Sequence, residues 1–203
     1  VGDRAARFAG ALRATGVGAG DRVAVLMLNQ DRYLEVYLAV AWAGAVIVPL
    51  NIRWNAAENE DVLRYCRPLG LVVDTALAEL DARLAQNIGT LRLVHADDGA
   101  TPVGMASYEV LIEAAIPVPD AIRRSGDLVG IFCTGDTTGR SKGVMLSHGN
   151  LMADAFNVLA EDLFPGDAVY LHAAPMFHLV NGAAMYALAG GSNVLIARSA
   201  PRR

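Results

Sequence analysis

The chain has 203 residues, 54% of them hydrophobic and 19% charged, which excludes a disordered tail or a fibre and leaves enough apolar material for a sizeable core in one or two domains. The 17 basic residues stand against 21 acidic ones, for a formal net charge of −4. Arg123-Arg124 and Arg202-Arg203 are isolated pairs, so no basic face for nucleic acid is built.

Taken in chain order, residues 3–15 place Ala6, Phe8, Ala9 and Leu12 near helical spacing and stop at Gly16, which predicts an amphipathic helix. Residues 18–21 make a turn. Residues 22–28 (Arg-Val-Ala-Val-Leu-Met-Leu) are almost wholly apolar, as a strand covered on both faces is. Residues 31–43 are helical and 45–50 a second buried strand. A helix over 58–67 closes at Pro68, followed by a strand at 71–74, a helix at 76–86 and a strand at 91–95. Residues 97–127 are irregular and read as a surface excursion. The pattern resumes with a strand at 129–134, a Gly/Thr-rich loop, a strand at 144–147 and a helix from about 150 to 163. Strands at 168–173 and 193–197 flank a helix near 183–189. Strands alternating with helices of about ten residues predict an α/β fold with a mostly parallel sheet layered by helices.

The mean hydropathy is +0.33. The longest apolar run, Tyr37 to Leu50, is shorter than the ~20 residues a bilayer span needs and carries Gly44 and Pro49. It reads as core, a helix followed by a strand, with no transmembrane segment. The N-terminus mixes acidic and basic residues and has no apolar signal segment, so nothing points to export. Cys66 and Cys133 are far apart in sequence, in no metal-like spacing, and fit a reducing compartment. His95, His148, His172 and His178 form no HxxxH or HExxH pattern, which excludes the common zinc motif.

The chemistry concentrates in residues 131–143, Ile-Phe-Cys-Thr-Gly-Asp-Thr-Thr-Gly-Arg-Ser-Lys-Gly. Glycines let backbone N–H groups curl around an anion. Threonine hydroxyls add donors and can ligate a metal ion, and a lysine supplies a point charge. The Walker loop does not fit, because Lys142 is followed by Gly143 and a strand-like Val-Met-Leu instead of Ser/Thr and a helix.

The order T-G-x-T-T-G-x-x-K-G-V resembles instead the phosphate-binding signature of the adenylate-forming (AMP-binding) superfamily, which includes acyl-CoA synthetases such as long-chain fatty-acid–CoA ligases. Met145-Leu146-Ser147-His148-Gly149-Asn150-Leu151 is similar to the family's continuation. Gly44 to Asn51 (Gly-Ala-Val-Ile-Val-Pro-Leu-Asn) upstream and Pro175-Met176-Phe177-His178 downstream resemble it too. The resemblance implies a two-step, AMP-forming acid–thiol ligation. A carboxylic acid, fatty or aromatic, attacks ATP to give an acyl-adenylate, and coenzyme A then takes the acyl group. By matching positions, Thr134, Gly135, Thr137, Thr138, Gly139 and Lys142 would hold the β- and γ-phosphates. Thr134 would also help with Mg²⁺, and His178 would act beside the acyl pocket and adenylate. ATP and coenzyme A supply places such an enzyme in the cytoplasm.

Two departures stand out. Asp136 occupies a position where the family pattern has glycine, and a carboxylate within ~4–6 Å of a polyphosphate is repelled. It weakens nucleotide binding on that reading; as a metal ligand it would instead help hold Mg²⁺, and an error in the sequence would account for it as well. Family members are also more than twice as long, so residues 1–203 are expected to be an incomplete N-terminal AMP-binding domain, truncated at both ends and without the small C-terminal domain. Such a piece is expected not to complete acyl-CoA synthesis alone and to expose apolar surface for self-association. Two rival readings remain open. One is a non-catalytic remnant. The other is a serine hydrolase using Ser141 in Gly139-Arg140-Ser141-Lys142-Gly143, which matches G-x-S-x-G.

Overall fold

The computed structural model describes residues 1–77, 84, 92–135, 142–161, 169–172, 174–178 and 193–196. Helix α1 (Gly2–Ala14) leads into β1 (Arg22–Leu26), α2 (Asp31–Trp42), β2 (Val46–Pro49), α3 (Ala56–Cys66) and β3 (Gly70–Val73). A 3₁₀ turn, Thr75–Leu77, follows. Beyond it come β4 (Arg92–His95), β5 (Ala106–Ser107), α4 (Tyr108–Ala114), β6 (Leu128–Thr134), β7 (Lys142–Ser147), α5 (His148–Ala160), β8 (Val169–His172) and β9 (Asn193–Ile196). Most of the helix expected over 76–86, and all of that near 183–189, lie outside the described residues.

Seven strands form one sheet in the order β5-β4-β3-β1-β2-β6-β7. Every pairing in it is parallel except β6 with β7. Strands β8 and β9 pair in parallel in a second, two-stranded sheet. The α/β class with a mostly parallel sheet is thus the observed one.

The strand periodicity of two sorts side chains into two cores. Val23, Val25, Met27, Ile47, Val72 and Phe132 join α1, α2 and α4 on one face. Ala24, Leu26, Val46, Val48, Leu71, Val73 and Ile131 join α3 on the other. This two-sided burial is why the strands read as unbroken apolar runs. The run from Tyr37 to Leu50 is the end of α2 plus β2. Gly44 separates the two at φ +79°, a left-handed conformation that favours glycine. Among the described residues no helix is long and apolar enough to cross a membrane.

Residues 97–127 are more than a surface excursion. They contribute β5 to the sheet edge, and α4, which Ser107 caps by accepting from Val110 N. Tyr108 is fully buried, its ring 4.5 Å from that of Phe8. Its hydroxyl donates to Glu35 Oε2 at 3.1 Å. Glu35 also accepts from Arg4 Nε at 2.7 Å, and Arg4 continues to Glu109 at 2.9 Å. Arg32 donates to Glu109 at 2.7 Å and to Asp98 at 2.6 Å. The polar composition that made this stretch look like loop is spent on these pairings.

Candidate functional site

In open α/β sheets ligands gather outside the carboxyl ends of the parallel strands. Two of the sequence motifs come to that edge. Strand β6 delivers Thr134 there, and the antiparallel return through β7 begins at Lys142, so the two paired strands flank the Gly/Thr-rich stretch. Its mouth is the pair Thr134–Lys142, both exposed. The Thr134 hydroxyl lies 3.5 Å from the Lys142 carbonyl oxygen, longer than the ~2.5–3.0 Å of a well-formed O–H···O bond. Gly135 is exposed as well, and a Cβ built on it would lie 3.7 Å from the Trp54 indole. Thr137, Thr138 and Gly139, together with Asp136 and Ser141, lie outside the described residues. Strand β7 starts two residues earlier than the expected 144, because Lys142 and Gly143 pair with Thr134 and Cys133.

Gly143 is fixed by close approach. A Cβ there would stand 2.7 Å from Ile131 Cγ2, so a side chain would push the hairpin arms apart. The string Ser147-His148-Gly149-Asn150 is a helix start. Ser147 Oγ accepts from Asn150 N at 3.2 Å and Asn150 Oδ1 from Ser147 N at 3.0 Å, a reciprocal capping box that turns the chain from β7 into α5. Upstream, Asn55 and Glu58 cap α3 in the same way.

The two cysteines, distant in sequence, meet. Both thiols are free, and the Cys66 and Cys133 side chains hydrogen-bond to each other. That shared proton pulls the Cys66 thiol down. It pushes Cys133 well above the usual thiol range, and burial adds to the rise. Cys133 adjoins Thr134, and the cavity beside it, about 730 Å³, is also lined by Asp61, Arg64, Tyr65, Lys142 and Gly143.

The second motif, Pro175-Met176-Phe177-His178, forms a turn closed by a 3.1 Å bond from His178 N to Pro175 O. Met176 is buried in the core shared with α1 and α2, Phe177 is 5% exposed, and His178 faces solvent. The Phe177 and His178 rings lie 4.4 Å apart at 45°. The turn is held to the main sheet by Asn29, just past β1, and by Tyr37 of α2. Neither was singled out from sequence. The available signal was a pair of polar residues, Asn29-Gln30, closing an apolar strand and yet 7% and 4% exposed.

A nucleophile elbow needs a helix directly after the serine, whereas residue 142 opens an antiparallel strand; the geometry speaks against Ser141 as a hydrolase nucleophile. No cluster of three or more His, Cys, Asp or Glu side chains fit for a metal occurs among the described residues.

The family model described as AMP-binding enzyme matches residues 1–203. The chain belongs to that family. Within it, this AMP-binding chain is 37% identical over 203 residues to the long-chain-fatty-acid–CoA ligase of Thermus thermophilus, covering 96% of this chain and 36% of that protein. It is 39% identical over 175 residues to the feruloyl-CoA synthase of an Amycolatopsis species, covering 86% and 33%. The fold is similar to ATP-bound MatB from Rhodopseudomonas palustris, with TM-score 0.81 and 31% identity over 98% of this chain and 39% of that one. The AMP-binding chain therefore spans about a third of the length of the curated relatives it matches.

Proposed function

We propose that residues 1–203 carry the phosphate-binding hairpin and the acyl-side turn of an acyl-CoA synthetase, an AMP-forming acid–thiol ligase. The observation that carries this reading is the shared edge: Thr134 and Lys142 end the arms of a Gly/Thr loop beside β2, and Asn29 holds the Phe177–His178 turn at the same end of β1, two strands away. A carboxylate oxygen attacks the α-phosphorus of ATP, the α–β bridging bond breaks, and pyrophosphate leaves with its electron pair. The thiolate of coenzyme A then attacks the acyl carbon and AMP departs. Thr134, Gly135, Thr137, Thr138, Gly139 and Lys142 would face the β- and γ-phosphates and neutralise the charge that grows on the leaving group.

The fit to Mg²⁺ is partial and sound. The Thr134 hydroxyl is exposed at the mouth and not committed to a short bond, so it would serve as one oxygen ligand; phosphates and water supply the remainder of such a shell. Bound there, the ion would screen the polyphosphate. His178, exposed on a turn whose neighbour Phe177 is buried, would lie beside the acyl group and adenylate. The acid is fatty or aromatic, a range that the names of the relatives also span. We place the activity in the cytoplasm, where ATP and coenzyme A are supplied. Turnover is assigned to this stretch together with the further sequence its longer relatives carry. The edge strand β7, with Val144 and Met145 exposed, would support self-association of the 203-residue piece.

The experiment is the thermal midpoint of the chain and of Asp136→Gly, each with and without Mg·ATP. Native-state binding raises the midpoint by mass action. The glycine variant is expected to shift more, because the carboxylate opposing the phosphates is gone. Equal affinity in both would sink the role given to Asp136, and no shift in either would leave the 203 residues a non-catalytic member of the family.

A further inference from the structure

Strand β1 ends at Leu26, and three residues later Asn29 is buried at 7% exposure. Its amide is used from both sides. Nδ2 donates to the carbonyl oxygens of His172, at 2.9 Å, and Ala174, at 2.8 Å, and Oδ1 accepts from Met176 N at 2.8 Å. An asparagine side chain offers two donors and a carbonyl oxygen, and all of them are engaged with one segment more than 140 positions downstream. The Tyr37 hydroxyl adds a bond to Met176 O at 3.0 Å. Both backbone polar groups of Met176 are thus held by side chains of the β1–α2 unit, and its own side chain is sunk in the core beneath. Phe177 and His178 follow directly, with rings 4.4 Å apart.

We propose that Asn29, assisted by Tyr37, is the positioning residue that fixes where the His178 imidazole stands over the carboxyl edge of the sheet. Segment 174–178 belongs to no helix or strand, so repeating main-chain bonds do not set its orientation, and its buried carbonyls must find donors elsewhere. Aspartate at position 29 would set an oxygen against two carbonyl oxygens. Alanine would lose all three bonds. Glutamine is one methylene too long for the same reach. The use of His178 beside an adenylate rests on the reading under Proposed function; the positioning itself does not.

The test uses the 203-residue chain labelled with ¹³C at the histidine Cε1 position, with His178→Gln to identify its signal. Asn29→Asp and Tyr37→Phe are compared with Asn59→Asp, a buried asparagine that serves the loop before α3. The His178 signal is expected to lose its Phe177 ring-current displacement in Asn29→Asp and part of it in Tyr37→Phe, with His95 and His148 unmoved. If Asn29→Asp unfolds, all histidine signals collapse together and Tyr37→Phe decides. An unmoved His178 signal in the folded variants, or an equal response to Asn59→Asp, overturns the proposal. A second arm measures a non-hydrolysable acyl-sulfamate mimic of an acyl-adenylate. Loss of a hydrogen-bonded anchor predicts about tenfold weaker binding of the mimic to Tyr37→Phe, with Mg·ATP affinity unchanged. Failure of the unsubstituted chain to bind the mimic would count against the functional reading, while the histidine spectra still decide the role of Asn29.

Discussion

Thr134 and Lys142 are directly opposed as the last cross-strand pair of the β6–β7 hairpin. Opposed residues of an antiparallel pair send their side chains to the same face of the sheet, so a hydroxyl and a basic side chain leave one face at the carboxyl end of β6. Removing the ammonium from this exposed position should cost little stability, within about 0.5 kcal/mol. Lys142→Ala is expected to fold normally and to lose most of the Mg·ATP-induced rise in thermal midpoint. An undiminished rise would remove Lys142 from the phosphate site.

The hairpin also depends on the absence of a side chain at Gly143. The 2.7 Å approach of Ile131 Cγ2 to a Cβ there predicts that Gly143→Ala costs about 1–3 kcal/mol, the usual range for overpacking. A urea titration should show the midpoint fall with an unchanged slope, and the cost of Gly143→Ala should shrink when measured in an Ile131→Ala background, which removes the opposing Cγ2.

Cys66 governs the reactivity of Cys133. The Cys133 thiol is held up first by its hydrogen bond with Cys66 and then by burial, so its thiolate is scarce at neutral pH. Removing the partner lowers that pKa and raises the thiolate fraction, which is the reactive form. Cys66→Ala is expected to speed alkylation of Cys133 by iodoacetamide at pH 8, read by peptide mass spectrometry. A slower or equal rate would contradict the thiol–thiol bond.

Glu109 links acid sensitivity to the Arg4–Arg32 cluster. Its carboxyl is held below the ordinary 4.5, first by the hydrogen bond from Arg4 and also by that from Arg32, against the opposing effect of burial. A carboxylate with a depressed folded pKa stabilises above its unfolded pKa, and that contribution fades as pH falls through the folded value. The midpoint difference between the chain and Glu109→Gln should be constant above about pH 6 and shrink below about pH 4.5. A difference that grows on acidification would reverse the assignment.

Much of the fold was legible because burial on two faces leaves an unmistakable mark. Val23 to Met27 and Val46 to Val48 fill both cores at once, and such runs admit few other readings. The helices expected from 58 and from about 150 begin at 56 and 148, because the capping boxes of Asn55 with Glu58 and of Ser147 with Asn150 start each helix two residues earlier. Tyr108 was not legible in this way. It lies in a polar, Gly- and Pro-rich stretch, and its burial is decided by Phe8 and by the Arg4–Glu35 pair, more than 70 positions upstream.

The same division runs through the candidate site. Sequence alone determined the chemistry on offer: a Gly/Thr loop with Lys142, and the string Pro175 to His178, each a local pattern whose meaning lies in consecutive residues. Only the tertiary structure decided that Thr134 and Lys142 oppose each other across an antiparallel pair, that Cys66 touches Cys133, and that Asn29 holds Met176. Those relationships join residues far apart in the chain through hydrogen bonds whose geometry exists only once the strands are in register, and periodicity and composition carry no record of which distant partner a buried polar group will meet.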